Sequence, residues 1–142
     1  MFALAKGDLN RDGHLDLVTA RGGHIFVLLG LGTGAFEIDA PYFVLDQFVP
    51  MIALHDLSGD GCLNVIVLGW TIDRVLISRE CYTERRPRVM SMGGFPFPAP
   101  RACAVLDVNH DGMMDMVVVG GEWEDGDDWT ILSVLLGRGG GQ

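Results

Sequence analysis

Apolar residues in this chain come in short bursts, each closed by glycine, asparagine or aspartate. The longest are His24-Ile-Phe-Val-Leu-Leu-Gly30, Asn64-Val-Ile-Val-Leu-Gly69 and Asp115-Met-Val-Val-Val-Gly120. Bursts of that length, rich in branched and aromatic side chains and bounded by turn formers, read as β-strands. Strands are expected from Phe2 to Ala5, Leu15 to Ala20, His24 to Gly30 and near Tyr42 to Leu45. A second set runs from Met51 to Leu57, Asn64 to Trp70, Arg74 to Ser78 and Arg88 to Ser91. A third runs from Ala102 to Val108, Asp115 to Gly120 and Thr130 to Gly137. No stretch holds a helical period. Met113, Met114 and Met116 imitate a helical stripe, but the residues after them are β-branched, so they read as core strand packing.

The strands sit in a repeat. Leu4-Ala-Lys-Gly-Asp8-Leu-Asn10-Arg-Asp12-Gly13-His-Leu-Asp16 aligns with Leu54-His-Asp56-Leu-Ser58-Gly-Asp60-Gly61-Cys-Leu-Asn64. It also aligns with Val105-Leu-Asp107-Val-Asn109-His-Asp111-Gly112-Met-Met-Asp115. The leading aspartates are spaced by 48 and 51 residues, the length of a four-stranded propeller blade. The expected fold is therefore all-β: about three four-stranded antiparallel blades of a β-propeller. Blade 1 spans 1–50, blade 2 spans 51–100, and blade 3, incomplete, spans 101–142. Closed propellers have about four to eight blades, so three alternatives are open. The chain is a fragment of a longer propeller, or closes by homo-oligomerising, or stays an open arc.

The loop pattern Asp-x-Asn-x-Asp-Gly-x-x-Asp carries the chemistry. Positions 1, 3 and 5 put oxygen-bearing side chains on one tight loop, and the glycine at position 6 permits its turn. A carbonyl at position 7 and a carboxylate at position 9 complete a hard-oxygen shell of the kind Ca²⁺ prefers. Loop 1 offers Asp8, Asn10, Asp12, the His14 carbonyl and Asp16. Loop 3 offers Asp107, Asn109, Asp111, the Met113 carbonyl and Asp115. Loop 2 offers Asp56, Ser58, Asp60, the Cys62 carbonyl and Asn64. With two carboxylates against three, loop 2 is expected to be the weaker site. An Asp-Gly turn alone does not explain acidic or amide residues at positions 1, 3, 5 and 9 in two repeats. The glutamate of an EF-hand's twelfth position is absent, since Thr19 and Val118 stand there, and the flanks are strands. Mg²⁺, which favours small octahedral shells, suits the pattern less well.

These segments resemble FG-GAP/VCBS repeats, the family of the integrin α-subunit propeller and many bacterial surface proteins. In that family the aspartate loop leads to a strand, a second strand ending in Leu-Leu-Gly, and Gly-x-Gly-x-Phe. Repeat 1 follows throughout, with Leu28-Leu29-Gly30, Gly32, Gly34 and Phe36. Repeat 3 follows as far as Leu135-Leu136-Gly137. Repeat 2, with Arg74-Val-Leu-Ile-Ser-Arg79 and Asn64, departs most. The resemblance implies a calcium-binding module for protein or glycan recognition or adhesion, non-enzymatic, in an extracellular, periplasmic or cell-surface setting. The alternatives are a propeller segment of a secreted hydrolase or lyase with its catalytic residues elsewhere, and a self-assembling lectin-like oligomer.

Composition narrows the partners. Asp and Glu number 19 against 10 Lys and Arg, a formal charge of −9. That balance disfavours nucleic acid and anionic membrane surfaces and suits cations. No apolar run reaches the roughly 18 residues of a membrane-spanning helix, and no secretory signal precedes the first strand. Cys62, Cys81 and Cys103 have no metal spacing. Their odd number excludes a complete disulfide framework within one chain; one bridge can form, but three half-buried thiols is the plainer reading. Glu122-Trp-Glu-Asp-Gly-Asp-Asp-Trp129 reads as a solvated acidic hairpin, with a cation site or partner-binding tip as the sharper alternative. Arg85-Arg86-Pro87-Arg88 reads as an exposed tip. His14, His24, His55 and His110 are scattered, and Ser58 has neither a nucleophile motif nor a base near it.

Overall fold

The computed structural model describes residues 3–21, 23–39, 42–43, 51–69, 75–78, 82, 89–92, 100–124 and 127–137. Among these residues there are twelve strands and no helix, so no helix is long and apolar enough to cross a membrane. The strands form three antiparallel sheets, each from consecutive elements. The first sheet runs in the order β1 (Ala3–Gly7), β2 (Asp16–Arg21), β3 (His24–Gly30) and β4 (Phe36–Ile38), with β5 (Tyr42–Phe43) also paired to β3. The second holds β6 (Met51–His55), β7 (Asn64–Leu68), β8 (Val75–Ser78) and β9 (Val89–Met92). The third holds β10 (Pro100–Leu106), β11 (Asp115–Glu124) and β12 (Asp127–Leu135).

Each sheet opens with a hairpin closed by an aspartate loop. The last rungs are Gly7↔Asp16, His55↔Asn64 and Leu106↔Asp115. Side chains alternate between faces of a strand, and this alternation assigns the core. In β2, Asp16, Val18 and Ala20 are buried while Leu17 and Thr19 are half-buried. Strand β7 is buried along its whole length, as expected for a strand covered on both faces. Val65 and Val67 join Ile52 and Tyr82 in a cluster with Ala3, Leu9, Val18, Ile25 and Val27 of the first repeat. On the opposite face Ile66 and Leu68 cluster with Met116 and Val118 of the third sheet. The second sheet is thus the filling between the other two. The leading strands are neighbours in turn, β1 beside β6 and β6 beside β10.

Three expectations are corrected. The fourth strand of the first unit is split into β4 and β5 and begins at Phe36. Gly32 and Gly34 adopt φ of 70° and 88°, a conformation that costs glycine little. The turn closes with the Leu31 amide donating to the Ala35 carbonyl at 3.0 Å and returns Phe36 opposite Gly30. The acidic stretch 122–129 is a hairpin, as expected, but its strands run past Gly120 and begin before Thr130: β11 and β12 pair through Glu122↔Trp129 to Glu124↔Asp127. Cys62 is disulfide-bonded, with its partner outside the described residues, and Cys103 is free. Arg85-Arg86-Pro87-Arg88 also lies outside the described residues.

Candidate functional site

Loops 1 and 3 are built alike, atom for atom. The aspartate at position 1 collects the amides of positions 5 and 6. Asp12 N donates to Asp8 Oδ1 at 3.1 Å and Gly13 N to Asp8 Oδ2 at 2.9 Å. Asp111 N and Gly112 N donate to Asp107 at 3.1 and 2.9 Å. The asparagine at position 3 accepts the same position 5 amide, at 3.2 Å for Asn10 and 3.1 Å for Asn109. Its Nδ2 donates to the position 5 carboxylate, Asp12 or Asp111, at 2.9 Å in both loops. That carboxylate in turn accepts the position 7 amide, His14 at 2.7 Å and Met113 at 2.8 Å. The side chains at positions 1, 3 and 5 are therefore gathered over one turn of backbone.

The turn needs two left-handed residues. Position 6 is glycine in all three loops, with φ of 85° at Gly13, 82° at Gly61 and 82° at Gly112. Position 4 is Arg11 (φ 63°), Gly59 (φ 72°) and His110 (φ 61°). Arg11 and His110 thus hold a conformation disfavoured for side-chain-bearing residues. The amides turned inward at positions 5 to 7 offset that cost by meeting carboxylates, in charge-assisted bonds.

Position 9 does something else. Asp16 is fully buried and spans the hairpin. Its Oδ2 accepts the Leu9 amide at 2.7 Å and its Oδ1 the Gly30 amide at 2.8 Å. Asp115 repeats this with the Val108 and Gly137 amides, at 2.9 and 2.7 Å. The glycine of Leu-Leu-Gly is the other half of this clamp. A Cβ on Gly30 would stand 2.3 Å from the Leu15 carbonyl oxygen, and one on Gly137 2.3 Å from that of Met114. Only glycine lets the third strand come close enough to donate. Sequence reasoning placed Asp16 and Asp115 in the ion shell and missed this pairing. The co-occurrence of an acidic position 9 with Leu-Leu-Gly in repeats 1 and 3, and the loss of both in repeat 2, is the signal that carries it.

Loop 2 departs at each of these points. Ser58 replaces asparagine and donates to Asp56 Oδ1 at 3.5 Å. Asp56 also receives the amides of Gly59, Asp60 and Gly61, at 2.7, 3.2 and 2.7 Å. A carboxylate offers about four acceptor sites; Asp56 meets four donors, three on Oδ1 and one on Oδ2, and so keeps less spare capacity than its counterparts. Asp8, Asp12, Asp107 and Asp111 each accept two of the bonds described and keep capacity for more. Asp60 accepts the Cys62 amide at 2.8 Å. Asn64 accepts the Leu57 amide at 2.9 Å through its single carbonyl oxygen. Arg11 leans over this loop: its Nη1 is 3.7 Å from Cys62 Sγ, and a Cβ on Gly61 would stand 2.6 Å from its Nη2.

Electrostatics follow the amides. Asp12 is held below its ordinary value by the His14 amide and the Asn10 side chain. Asp115 is held down by the amides of Gly137 and Val108, against its desolvation. At Asp56 burial pushes upward, but the amides of Gly61, Gly59, Asp60 and Ser58 outweigh it, and the net shift is downward. All three stay ionised to low pH. Among the described residues, no three His, Cys, Asp or Glu side chains form a ready-made metal cluster, and no Lys or Arg is ion-paired with the carboxylates of loops 1 and 3. The donor set of loops 1 and 3 still fits a hard cation: three carboxylates and an amide oxygen, with acceptor capacity to spare.

The sheets and loops define an all-β protein of repeated hairpins, each closed by an aspartate loop. The family model of the FG-GAP-like repeat matches residues 8–67, from loop 1 into β7, and this stretch belongs to the FG-GAP repeat family. Loop 3 lies beyond the matched residues, and its likeness rests on the bonds just described. No curated protein and no solved structure matches the chain.

Proposed function

We propose that the chain is a non-enzymatic, β-propeller-type recognition module whose loops 1 and 3 each hold a Ca²⁺ ion. Its three sheets are three consecutive blades, with β1, β6 and β10 innermost. The FG-GAP-like repeat over residues 8–67 supports the module. The observation that carries the ion is the identity of loops 1 and 3, each with carboxylates that keep acceptor capacity. Asp8, Asn10 and Asp12 would hold one ion and Asp107, Asn109 and Asp111 the other, through side-chain oxygens. The carbonyls of His14 and Met113 and the carboxylates of Asp16 and Asp115 complete each set. Bound Ca²⁺ supplies charge neutralisation that orders the loops; it performs no reaction here. Loop 2, with Asp56 Oδ1 crowded by three donors and Arg11 overlying it, is the weaker site.

The module is extracytoplasmic and presents its surface to a protein or glycan. The Cys62 disulfide supports an oxidising compartment, and extracellular calcium modules work at dissociation constants of about 10⁻⁴ to 10⁻³ M. Thermal unfolding with saturating Ca²⁺ and with chelator tests the reading. One site at about 100 times its Kd adds about 2.7 kcal/mol, a rise of roughly 5–10 °C for a chain of this size. An unchanged melting temperature would sink the calcium reading.

A further inference from the structure

The three sheets repeat one packing relation, and its two complementary faces recur, uncovered, at the ends of the stack. The forward face of the first sheet, Ala3, Ala5, Val18 and Ala20, covers Ile52, Val65 and Val67 of the second. The matching forward face of the second, Met51, Ala53, Ile66 and Leu68, covers Cys103, Met116 and Val118 of the third. At the same repeat positions the third sheet carries Ala102, Ala104, Val117 and Val119, continued by Leu132 and Val134. Val134 pairs with Val117 as Val27 pairs with Val18, and Leu132 pairs with Val119 as Ile25 pairs with Ala20. Yet Ile25 and Val27 are 4% and 1% exposed, while Leu132 and Val134 are 64% and 44% exposed. The backward face of the first sheet mirrors this. Leu4, Leu17 and Thr19 stand where Ile52, Val65 and Val67 receive their neighbour, and Leu4 is 67% exposed.

We propose that a second copy of this chain covers these faces head to tail, the backward face of its first sheet seated on the forward face of the third. Apolar surface of this kind marks an interaction site, and here the two ends offer the same pair of faces that already meet at two interfaces within the chain. A loop contact points the same way. Arg11 reaches from position 4 of loop 1 into the space beside Gly61 of the next loop. His110 holds the same position and the same left-handed backbone in loop 3, and the corresponding space beside Gly13 is open. In the head-to-tail pair, His110 lies over the second copy's Gly13. A heterologous contact that closes makes a ring: two chains would join six sheets. The proposal rests on sheet packing and is independent of the calcium reading.

Sedimentation velocity of the full chain at increasing concentration tests it. The expected result is a dimer or larger assembly that strengthens with salt, because each copy carries −9 and screening weakens their repulsion. Leu4→Glu and Leu132→Glu, each still folded by circular dichroism, become monomeric. An equimolar mixture of the two re-forms a pair, since one supplies an intact forward face and the other an intact backward face. If either variant fails to fold, Leu4→Ala and Leu132→Ala replace them, each weakening association by about tenfold, near 1.4 kcal/mol. A wild-type chain that stays monomeric at its highest soluble concentration overturns the proposal and leaves the faces to further repeats. A folded Glu variant that still self-associates alone, or a mixture that does not pair, also overturns it.

Discussion

Loops 1 and 2 begin from the same pattern and end in different chemistry. Both turn at a glycine with φ above 80°, and both wrap inward amides around a leading aspartate. In loop 1 an asparagine shares that work, accepting the Asp12 amide at 3.2 Å, so Asp8 keeps acceptor capacity. In loop 2 the Ser58 hydroxyl adds a donor instead, and Asp56 meets four donors, three of them on Oδ1. At position 9, Asp16 ties β1's loop to the end of β3 with two amides. Asn64 has one carbonyl oxygen for the Leu57 amide, and Leu-Leu-Gly is missing from its repeat. The lesson is that an acidic loop is a cation site only when its own amides leave it lone pairs. Counting carboxylates and counting spare acceptor sites lead to the same expected rank, and the second gives it a physical cause.

The sharpest way to break the comparison is at the clamp. Gly30→Ala drives a methyl into the Leu15 carbonyl and should cost about 3 kcal/mol, the upper range for forced overpacking. Denaturant unfolding would show it, and Gly137→Ala should match. Gly13→Ala, where a Cβ meets nothing within 4 Å, should cost only its backbone strain, about 1–2 kcal/mol. Equal losses at Gly30 and Gly13 would refute the clamp. Next in size, Asp16→Asn converts loop 1 to the chemistry of loop 2. Losing one charge-assisted bond to a buried amide should cost about 1.5–3 kcal/mol.

Acid sharpens the comparison less. The folded state holds Asp12, Asp115 and Asp56 below the ordinary 3.8. A depressed carboxylate stabilises the fold above its unfolded value and loses that contribution as pH falls through the folded one. Stability should therefore be flat from neutral pH down to about 5 and decline below about 4. A decline beginning near pH 6 would point to histidine instead. The smallest effect concerns the thiols. Burial pushes Cys103 up to about 11, so alkylation at pH 8 should be slow, because the thiolate is the reactive form. Rapid labelling of Cys103 in the folded chain would contradict its placement in the second core cluster.

Much of this was legible beforehand, for identifiable reasons. The strands of the hairpins announce themselves because β-branched runs and aspartate loops recur with one spacing. The positions facing each core follow from alternation. The early start of β4 was not legible, since a turn built on Gly32 and Gly34 is read from φ rather than from hydropathy. The Cys62 disulfide was hidden by the absence of any spacing rule for a single bridge. The clamp was hidden because Asp16 and Gly30 lie far apart in sequence and each had a more familiar explanation. Arg11 and His110 carry no sign in sequence that they occupy a left-handed position; only their alignment with Gly59 gives it away.

Equilibrium calcium binding to the intact chain, counted by isothermal titration, tests the central claim most directly. Two ions per chain are expected. Asp12→Asn removes one, Asp111→Asn removes the other, and Asp60→Asn removes neither. Retention of both ions in Asp12→Asn and Asp111→Asn, or loss of one in Asp60→Asn, would contradict it.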